Sequence, residues 1–231
     1  MNPRLIVALD FHKQEKALAL VNQLEPSECA LKVGSEMFTL FGVDFLHILI
    51  QKNFKIFLDL KFHDIPNTVA KACRAAAELG VWMINVHASG GLAMMQAAKD
   101  ALSDYDSRRP LLIAVTVLTS MNHTELPLIG IENTLENQVQ KLAMLAQHAG
   151  LDGVVCSAHE VPIIKNACGP SFLTVTPGIR LAESSKDDQC RIMTPAQAVE
   201  LGSDYLVVGR PITGASNPVE IINKINSSIP L

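Results

Sequence analysis

The chain has 231 residues, of which 48% are hydrophobic and 18% are charged, and its formal net charge at pH 7 is −4. This length and apolar content are sufficient for one sizeable core. The slightly negative charge argues against a dominant basic face, so we expect binding neither to nucleic acid nor to an anionic membrane. The five cysteines are dispersed and form no Cys-x-x-Cys pair, which is typical of reduced thiols. The N-terminal apolar stretch is too short for a signal peptide or a membrane span. Both observations predict a cytoplasmic protein.

Eight short apolar runs recur along the chain, separated by longer amphipathic segments. In chain order the predicted strands are Leu5–Leu9, Ala30–Val33, Ile56–Leu60, Met83–Val86, Leu111–Val117, Gly153–Val155, Leu173–Val175 and Tyr205–Val208. The apolar spacing predicts helices over residues 14–24, 36–52, 68–79, 93–102, 135–148 and 218–225. Buried strands alternating with helices indicate a parallel sheet that is covered on both faces. Eight such units predict an α/β protein with a single (β/α)8 TIM barrel over residues 1–231, and a doubly wound open sheet is the alternative.

Helix-start signals support the register of these elements. Residues 157–160 and 194–197 both match the capping box, in which two side chains satisfy backbone N–H groups at a helix start. Asn217 followed by Pro218 predicts another start, because proline suits the first helical position. These signals fall after the sixth, seventh and eighth predicted strands.

Two segments, residues 119–133 and 178–193, lack clear periodicity. Long loops in compact barrels are usually functional. The second segment is rich in charged and polar side chains, so we predict that residues from about 178 to 194 form a lid over a phosphate ligand.

Polar residues follow the predicted strands at their carboxyl ends, where barrel enzymes place their active sites. In chain order these residues are Asp10, Lys32, Asp59, Lys61, Asn85, His87, Thr119, Ser120, Pro177, Arg180, Gly209 and Arg210. Because the carboxyl ends of the strands meet at one rim of a barrel, we expect these side chains to converge there.

The most informative stretch is residues 57–68, which begins as an apolar strand and ends as a helix start. Asp59 and Lys61 are two residues apart and therefore point to the same side of a strand. Asp64 falls just past the strand end, where a loop can turn it toward the same space or into a neighbouring subunit. Holding such charges out of water is costly, which favours a site for chemistry at a carbanion or a carboxylate.

The loops after strands seven and eight are the usual phosphate site of this fold. Arg180 and Arg210 would supply one permanent positive charge from each loop. Gly209 would let backbone N–H groups approach a phosphate closely.

These charged residues also have structural interpretations when each is considered alone. Asp10 and Asp64 could cap helices, and Lys32 could be an isolated strand lysine. Asp59 and Lys61 could form a structural ion pair. Together these interpretations require many charges to meet at one rim by chance, so we favour a functional site.

Two histidines lie near the predicted rim. His63 and His87 are interpreted as packing or hydrogen-bonded side chains rather than as metal ligands. No metal site is therefore predicted.

Residues 59–68, with the sequence Asp-Leu-Lys-Phe-His-Asp-Ile-Pro-Asn-Thr, resemble the Asp-x-Lys-x-x-Asp signature of the orotidine 5'-phosphate decarboxylase family in its compact bacterial form. The resemblance extends over nearly the whole chain. Its other motifs are Ala8–Asp10, Leu31–Gly34, Val117–Ser120, Thr176–Arg180 and Val208–Ile212. It implies a homodimeric enzyme that converts orotidine 5'-phosphate (OMP) to UMP and CO₂ in pyrimidine biosynthesis.

The resemblance also implies roles for particular residues. Lys61 is the acid that protonates C6 of the pyrimidine, Asp59 and Asp64 flank the substrate carboxylate, and Lys32 completes the charge network. Asp64 and Thr68 reach into the site of the other subunit. The other implied substrate contacts are Asp10 and Lys32 at the ribose, Thr119 and Ser120 at the pyrimidine, Arg180, Gln189, Gly209 and Arg210 at the phosphate, and Pro177. Because lysine is then both stabiliser and proton donor, the resemblance implies neither a metal nor an organic cofactor.

Three other functions stay open. A related barrel decarboxylase would act on a keto-sugar phosphate with Mg²⁺, and Glu36 could be its acidic metal ligand. A Schiff-base aldolase would use Lys61 as a nucleophile, although flanking carboxylates favour the protonated amine over the reactive one. A non-catalytic phosphate sensor would need Arg180 and Arg210. It would not require Asp59, Lys61 and Asp64 together, so the presence of all three counts against it.

Overall fold

The computed structural model of the chain describes residues 3–181 and 193–229. Within these ranges, eight parallel strands close into a barrel in chain order. The strands are β1 (Leu5–Leu9), β2 (Ala30–Gly34), β3 (Ile56–Phe62), β4 (Met83–His87), β5 (Leu111–Val115), β6 (Gly153–Val155), β7 (Leu173–Thr176) and β8 (Tyr205–Val208). The helices are α1 (Gln14–Val21), α2 (Ser35–Gln51), α3 (Pro66–Glu78), α4 (Leu92–Asp100), α5 (Leu135–His148), α6 (Val161–Cys168), α7 (Pro195–Glu200), α8 (Arg210–Thr213) and α9 (Pro218–Ser228).

The first and last strands pair with each other, with Leu5 opposite Leu206, and this pairing closes the barrel. The (β/α)8 prediction is therefore confirmed, and the open-sheet alternative is wrong. β5 ends at Val115, two residues earlier than predicted. Val117, which suggested the longer strand, is buried by packing against the core rather than by strand pairing.

The barrel interior and the layer between the strands and helices are two separate apolar cores. The interior core consists of Ile6, Ala8, Ala30, Phe57, Met83, Ile113, Val175 and Val207. Because side chains alternate along a strand, the next inward residues after Ala8, Ala30 and Phe57 are Asp10, Lys32 and Asp59. The same alternation that fills the barrel with apolar groups thus places charges above them at its carboxyl end.

The predicted helix starts are present in the structure. Capping boxes form at residues 157–160 and 194–197, and the first of them opens a short 3₁₀ turn ahead of α6. At the start of α9, the Asn217 side chain accepts a hydrogen bond from the Glu220 N–H at 3.2 Å. No helix in the described ranges is both long enough and apolar enough to cross a bilayer.

The predicted lid segment lies largely outside the described residues, which resume at Met193. Its two ends are hydrogen-bonded to each other: Arg180 N–H donates to the Met193 carbonyl at 3.0 Å, and Met193 N–H donates to the Gly178 carbonyl at 3.2 Å. These bonds anchor both ends of the segment beside β7. The other aperiodic segment, residues 119–133, contains one short 3₁₀ turn over Pro127–Ile129.

Candidate active site

A cavity of about 280 Å³ opens at the carboxyl end of the barrel. The predicted site residues that line it are Asp10, Lys32, Asp59, Lys61, Thr119, Pro177, Arg180, Gly209 and Arg210. Residues from β1, β2, β3 and the loops after β5, β7 and β8 are thus brought together around one space. This is the rim to which the sequence assigned them.

Asp59 is the centre of a charge network on one wall of the cavity. It is buried, with 8% of its surface exposed. Its Oδ1 atom accepts a hydrogen bond from Lys61 Nζ at 2.7 Å, and its Oδ2 atom lies 3.2 Å from Lys32 Nζ. Lys32 Nζ is also 3.9 Å from Oδ1 of Asp10, so the network extends to β1. One buried carboxylate therefore holds two ammonium groups at the cavity wall.

The surroundings of Asp59 determine its charge. Burial alone would raise the pKa of its carboxyl group, but the positive charges of Lys32 and Lys61 lower it. Hydrogen bonds from Lys61 and Asn85 act in the same direction as those charges. The net effect is a pKa below the ordinary value, so Asp59 is an anion at neutral pH.

The carboxyl end of β3 is irregular where it carries this network. Leu58 pairs with Ile84 and Phe62 pairs with Val86, so three residues of β3 stand opposite the single residue Asn85 of β4. Lys61 has a positive φ of 51°, a backbone conformation that is uncommon for residues other than glycine. This bulge presents both Asp59 and Lys61 to the cavity.

The two histidines near the network face each other, with ring centroids 5.4 Å apart. Burial lowers the pKa of His87, electrostatic interactions with His63 and Lys61 lower it further, and the interaction with Asp59 opposes this shift. Neither ring lines the cavity. Their interpretation as packing side chains is consistent with these contacts.

The opposite wall of the cavity carries the two arginines. Arg180 is buried, and its Nη1 atom donates to the Ile179 carbonyl at 3.0 Å. Arg210 begins α8 directly after Gly209. A Cβ atom added at Gly209 would lie 3.7 Å from Oδ2 of Asp10, so a side chain there would take up cavity space. This wall therefore combines positive charge with room for a ligand.

Three predicted site residues within the described ranges do not line this cavity. Asp64, Thr68 and Ser120 are exposed and do not line the cavity of their own chain. Asp64 accepts a hydrogen bond from the Ile65 N–H at 2.6 Å. Gln189 lies outside the described residues, so the structure gives no position for it.

The capping interpretations of the two aspartates are not supported. Helix α1 begins at Gln14 with Lys13 as its N-cap, so Asp10 caps no helix. The N-cap of α3 is Ile65, and no side chain caps that helix start. Asp10 instead lines the cavity, and Asp64 lies one residue before the N-cap.

Sequence reasoning assigned no role to several residues of the site. Gly178 and Cys156 line the cavity, and Asn85 lies behind Asp59 and donates to its Oδ1 atom at 2.7 Å. The sequence placed Asn85 at the rim, where it follows the inward-facing Met83 by two residues on β4, but it indicated no contact with Asp59 or Lys61. No sequence signal distinguished Cys156 from the other core cysteines.

A (β/α)8 barrel that holds a buried lysine–carboxylate network and two arginines around its mouth has the architecture of a barrel enzyme with an anionic substrate. The chain belongs to the orotidine 5'-phosphate decarboxylase / HUMPS family, whose sequence pattern matches residues 3–225.

Similar proteins cover nearly the full length of the chain. Orotidine 5'-phosphate decarboxylase from Legionella pneumophila strain Philadelphia 1 is 65% identical over 225 residues, which are 97% of this chain and 98% of that protein. The enzyme of the same name from Haemophilus influenzae Rd is 59% identical over 229 residues, covering 99% of this chain and 100% of the other. The crystal structure of orotidine 5'-phosphate decarboxylase from Lactobacillus acidophilus superposes with a TM-score of 0.88 at 40% identity and covers all of both chains.

Proposed function

We propose that this protein converts OMP to UMP and CO₂ as a single-domain cytoplasmic enzyme, with Lys61 protonating C6 of the pyrimidine. The observation that carries the proposal is the buried carboxylate of Asp59, which holds Lys61 at 2.7 Å and Lys32 at 3.2 Å beside one cavity. Relatives named orotidine 5'-phosphate decarboxylase, 65% and 59% identical over nearly the full chain, support the same reaction.

The chemistry requires stabilisation of a localised negative charge. When CO₂ leaves C6, no ring carbonyl is placed to delocalise the remaining electron pair as an ordinary enolate. A fixed ammonium group near C6 stabilises that charge electrostatically and costs little reorganisation, because its position is already set. Lys61, held by Asp59, supplies such a group and then donates its proton to C6.

The arrangement of charges also fits the substrate carboxylate. Asp59 is an anion and lies at the cavity wall, so a substrate carboxylate placed next to it is repelled. Loss of CO₂ removes that repulsion. The binding energy of distant substrate groups can hold the carboxylate in this position until it reacts.

We assign the other predicted site residues to the remaining parts of the nucleotide. In this proposal Asp10 and Lys32, in the cavity wall, bind the ribose, and Thr119 and Ser120, in the loop after β5, contact the pyrimidine. The phosphate is held by charge and by backbone N–H groups. Its proposed ligands are Arg180, Gln189, Gly209 and Arg210, and Pro177, which lines the cavity, is a further proposed substrate contact.

The complete site is shared between two subunits in this proposal. Asp64 and Thr68 are exposed at the rim, close in sequence to the network but outside the cavity of their own chain. Ile65 between them exposes 66% of its surface, which a subunit contact would cover. A homodimer in which Asp64 and Thr68 complete the partner's site accounts for both features.

The keto-sugar phosphate alternative receives less support. The acid that it requires, Glu36, lies in the first turn of α2, where its carboxylate contacts Nδ1 of His12. Glu36 does not line the cavity, whereas Lys32, three residues before α2 begins, does. The nucleotide substrate therefore fits this set of side chains better.

Ultraviolet absorbance tests the proposal directly. Purified protein treated with EDTA is mixed with OMP, and loss of OMP with matching gain of UMP is expected. Protein supplied with Mg²⁺ and keto-sugar phosphates serves as the comparison. Binding of UMP without turnover of OMP would contradict the proposal and favour the phosphate sensor, and turnover of sugar phosphates alone would favour the Mg²⁺ enzyme.

A further inference from the structure

Asn85 joins the two charged residues of β3 through both ends of its side-chain amide. Its Nδ2 atom donates to Oδ1 of Asp59 at 2.7 Å, and its Oδ1 atom accepts from the backbone N–H of Lys61 at 2.8 Å. The side chain is completely buried, with 0% exposure. It has no contact with solvent, and Asp59 and Lys61 stand between it and the cavity.

The bulge in β3 explains why a side chain is needed here. Three residues of β3 stand opposite Asn85, so the regular ladder between β3 and β4 is interrupted. The backbone N–H of Lys61 therefore bonds to a side chain rather than to a β4 carbonyl. A buried N–H left without an acceptor costs free energy comparable to that of a lost hydrogen bond.

The same bond fixes an unusual backbone. Lys61 has a φ of 51°, which for a residue with a side chain persists only when its surroundings hold it. An extended backbone at Lys61 would rotate its side chain away from the direction that reaches Asp59. The acceptor atom of Asn85 thus controls where the Lys61 ammonium lies.

The donor end of the amide acts on the carboxylate. Oδ1 of Asp59 receives bonds from both Lys61 Nζ and Asn85 Nδ2, which leaves one orientation of the carboxylate that satisfies all its partners. Lys32 then meets the other oxygen. An amide is the side-chain group of this size that offers a donor and an acceptor together at every pH.

We propose that Asn85 is a positioning residue of the decarboxylation site, which holds the Asp59 carboxylate and the Lys61 backbone in the arrangement that catalysis needs. This inference rests on the proposed function for its kinetic consequences. Its structural content, the fixed geometry of Asp59 and Lys61, does not depend on the identity of the substrate.

The first test compares Asn85→Leu with a structural control. Leucine keeps the volume and removes both hydrogen bonds, and we expect kcat for OMP to fall by about 100-fold, as for a catalytic group displaced by roughly 1 Å. The affinity for UMP should change by less than about threefold, because the phosphate ligands lie on other strands. Thr174→Val removes another buried polar contact, to Asp204 near the amino end of β7, and should leave kcat unchanged.

The second test uses Asn85→Asp and the pH profile. When the new carboxyl group is protonated, it can donate a hydrogen bond to Asp59 and accept one from the Lys61 N–H, as the amide does. When it is ionised, its negative charge repels that of Asp59. The ratio of variant to wild-type kcat should therefore rise as pH falls, by up to about tenfold per pH unit where one proton is taken up. A residue that only supports the fold would give a ratio that does not change with pH.

The outcomes are distinguishable. If the wild type turns over OMP, either of two results would overturn the inference. One is a kcat of Asn85→Leu within threefold of the wild-type value. The other is a loss of kcat in Asn85→Asp that does not change with pH. Should Asn85→Leu fail to fold, the pH profile of Asn85→Asp decides. Absence of OMP turnover in the wild type would contradict the proposed function instead. The inference would then be judged from a crystal structure of Asn85→Leu, in which Lys61 Nζ should move beyond about 4 Å from Asp59, the limit of an ion pair.

Discussion

At the level of single residues, the site depends on one carboxylate that forms ion pairs with two lysines. Asp59 is buried with Lys32 and Lys61 on its two oxygen atoms, so neither ammonium can move without leaving a buried anion incompletely paired. Removing one member of such a set is costly, because the others stay charged in a poorly solvated place. The same cost holds the Lys61 ammonium group in place beside the cavity.

Changing Lys61 to alanine should abolish turnover and spare binding. The variant loses both the electrostatic stabilisation and the proton donor, so we expect kcat to fall by at least about 10⁴-fold. UMP affinity measured by calorimetry should stay within about tenfold of wild type, since the phosphate ligands are intact. Lys52→Ala, at an exposed lysine just after α2, is the control and should behave as wild type. Parallel loss of turnover and UMP binding would argue against this role.

The lowered pKa of Asp59 predicts how stability responds to acid. Its carboxyl group titrates below the ordinary value of 3.8 in the folded protein, so on acidification the unfolded chain takes up that proton first. The free energy of unfolding should therefore fall as pH drops through this range. Urea unfolding at a series of pH values measures this dependence. The free energy of unfolding of Asp59→Asn should depend less steeply on pH than that of the wild type, by at most about 1.4 kcal/mol per pH unit for one proton. Asp100→Asn, at an exposed aspartate, is the control, and equal slopes in wild type and Asp59→Asn would refute the assignment.

At the level of elements, the strands of the barrel differ in how they are built. The carboxyl end of β3 carries a bulge and a positive φ, and it holds the network. β6 is only three residues long and begins with Gly153. A Cβ atom added at Gly153 would overlap the carbonyl oxygen of Leu173 and lie 2.6 Å from its Cβ atom. The close approach of β6 and β7 thus requires glycine at that position for space.

Gly153→Ala should destabilise the barrel strongly. Backbone atoms cannot move aside as a flexible side chain can, so we expect a loss of about 3 kcal/mol, the upper part of the range for overpacking. Gly169→Ala is the matched control, because Gly169 has a φ of 85° but nothing within 4 Å of an added Cβ atom. Its cost should be about 1 kcal/mol of backbone strain. Urea unfolding followed by circular dichroism measures both, and an equal loss in the two variants would contradict the packing argument.

At the level of the whole molecule, the segment that follows β3 is exposed beside the cavity. Asp64, Ile65 and Thr68 are exposed there, and Asp64 and Thr68 belong to the stretch that resembles the signature of the family. A symmetric dimer would place the same segment of each subunit against the other, as two-fold contacts require. Each subunit would then supply Lys61 to its own site and Asp64 to its partner's.

Mixing two inactive variants tests this shared arrangement. Lys61→Ala and Asp64→Ala proteins, unfolded together and refolded, should regain about a quarter of the wild-type activity, since half the dimers are mixed and each has one intact site. Lys61→Ala mixed with a variant that carries both substitutions should stay inactive. Absence of recovery, with heterodimers demonstrated by tagged copies, would show that Asp64 acts within its own chain or not at all.

The sequence by itself determined the barrel and most of the cavity wall. Eight apolar runs with helices between them specify a closed parallel sheet, because each run must be buried on both faces. Asp10, Lys32 and Asp59 each follow an inward-facing apolar residue by two positions, and Arg180 and Arg210 follow the last two strands, so strand period and chain order placed all five at one rim.

The tertiary structure alone decided how these residues meet. The bulge in β3 and the positive φ of Lys61 depend on pairing with β4, which no local pattern specifies. Asn85 has no unusual sequence context, and only its distances of 2.7 Å and 2.8 Å to Asp59 and Lys61 give it a role. The need for glycine at position 153 likewise comes from Leu173 on the neighbouring strand. Periodicity fixes which face of a strand a side chain occupies, whereas contacts between strands distant in sequence follow from packing in three dimensions.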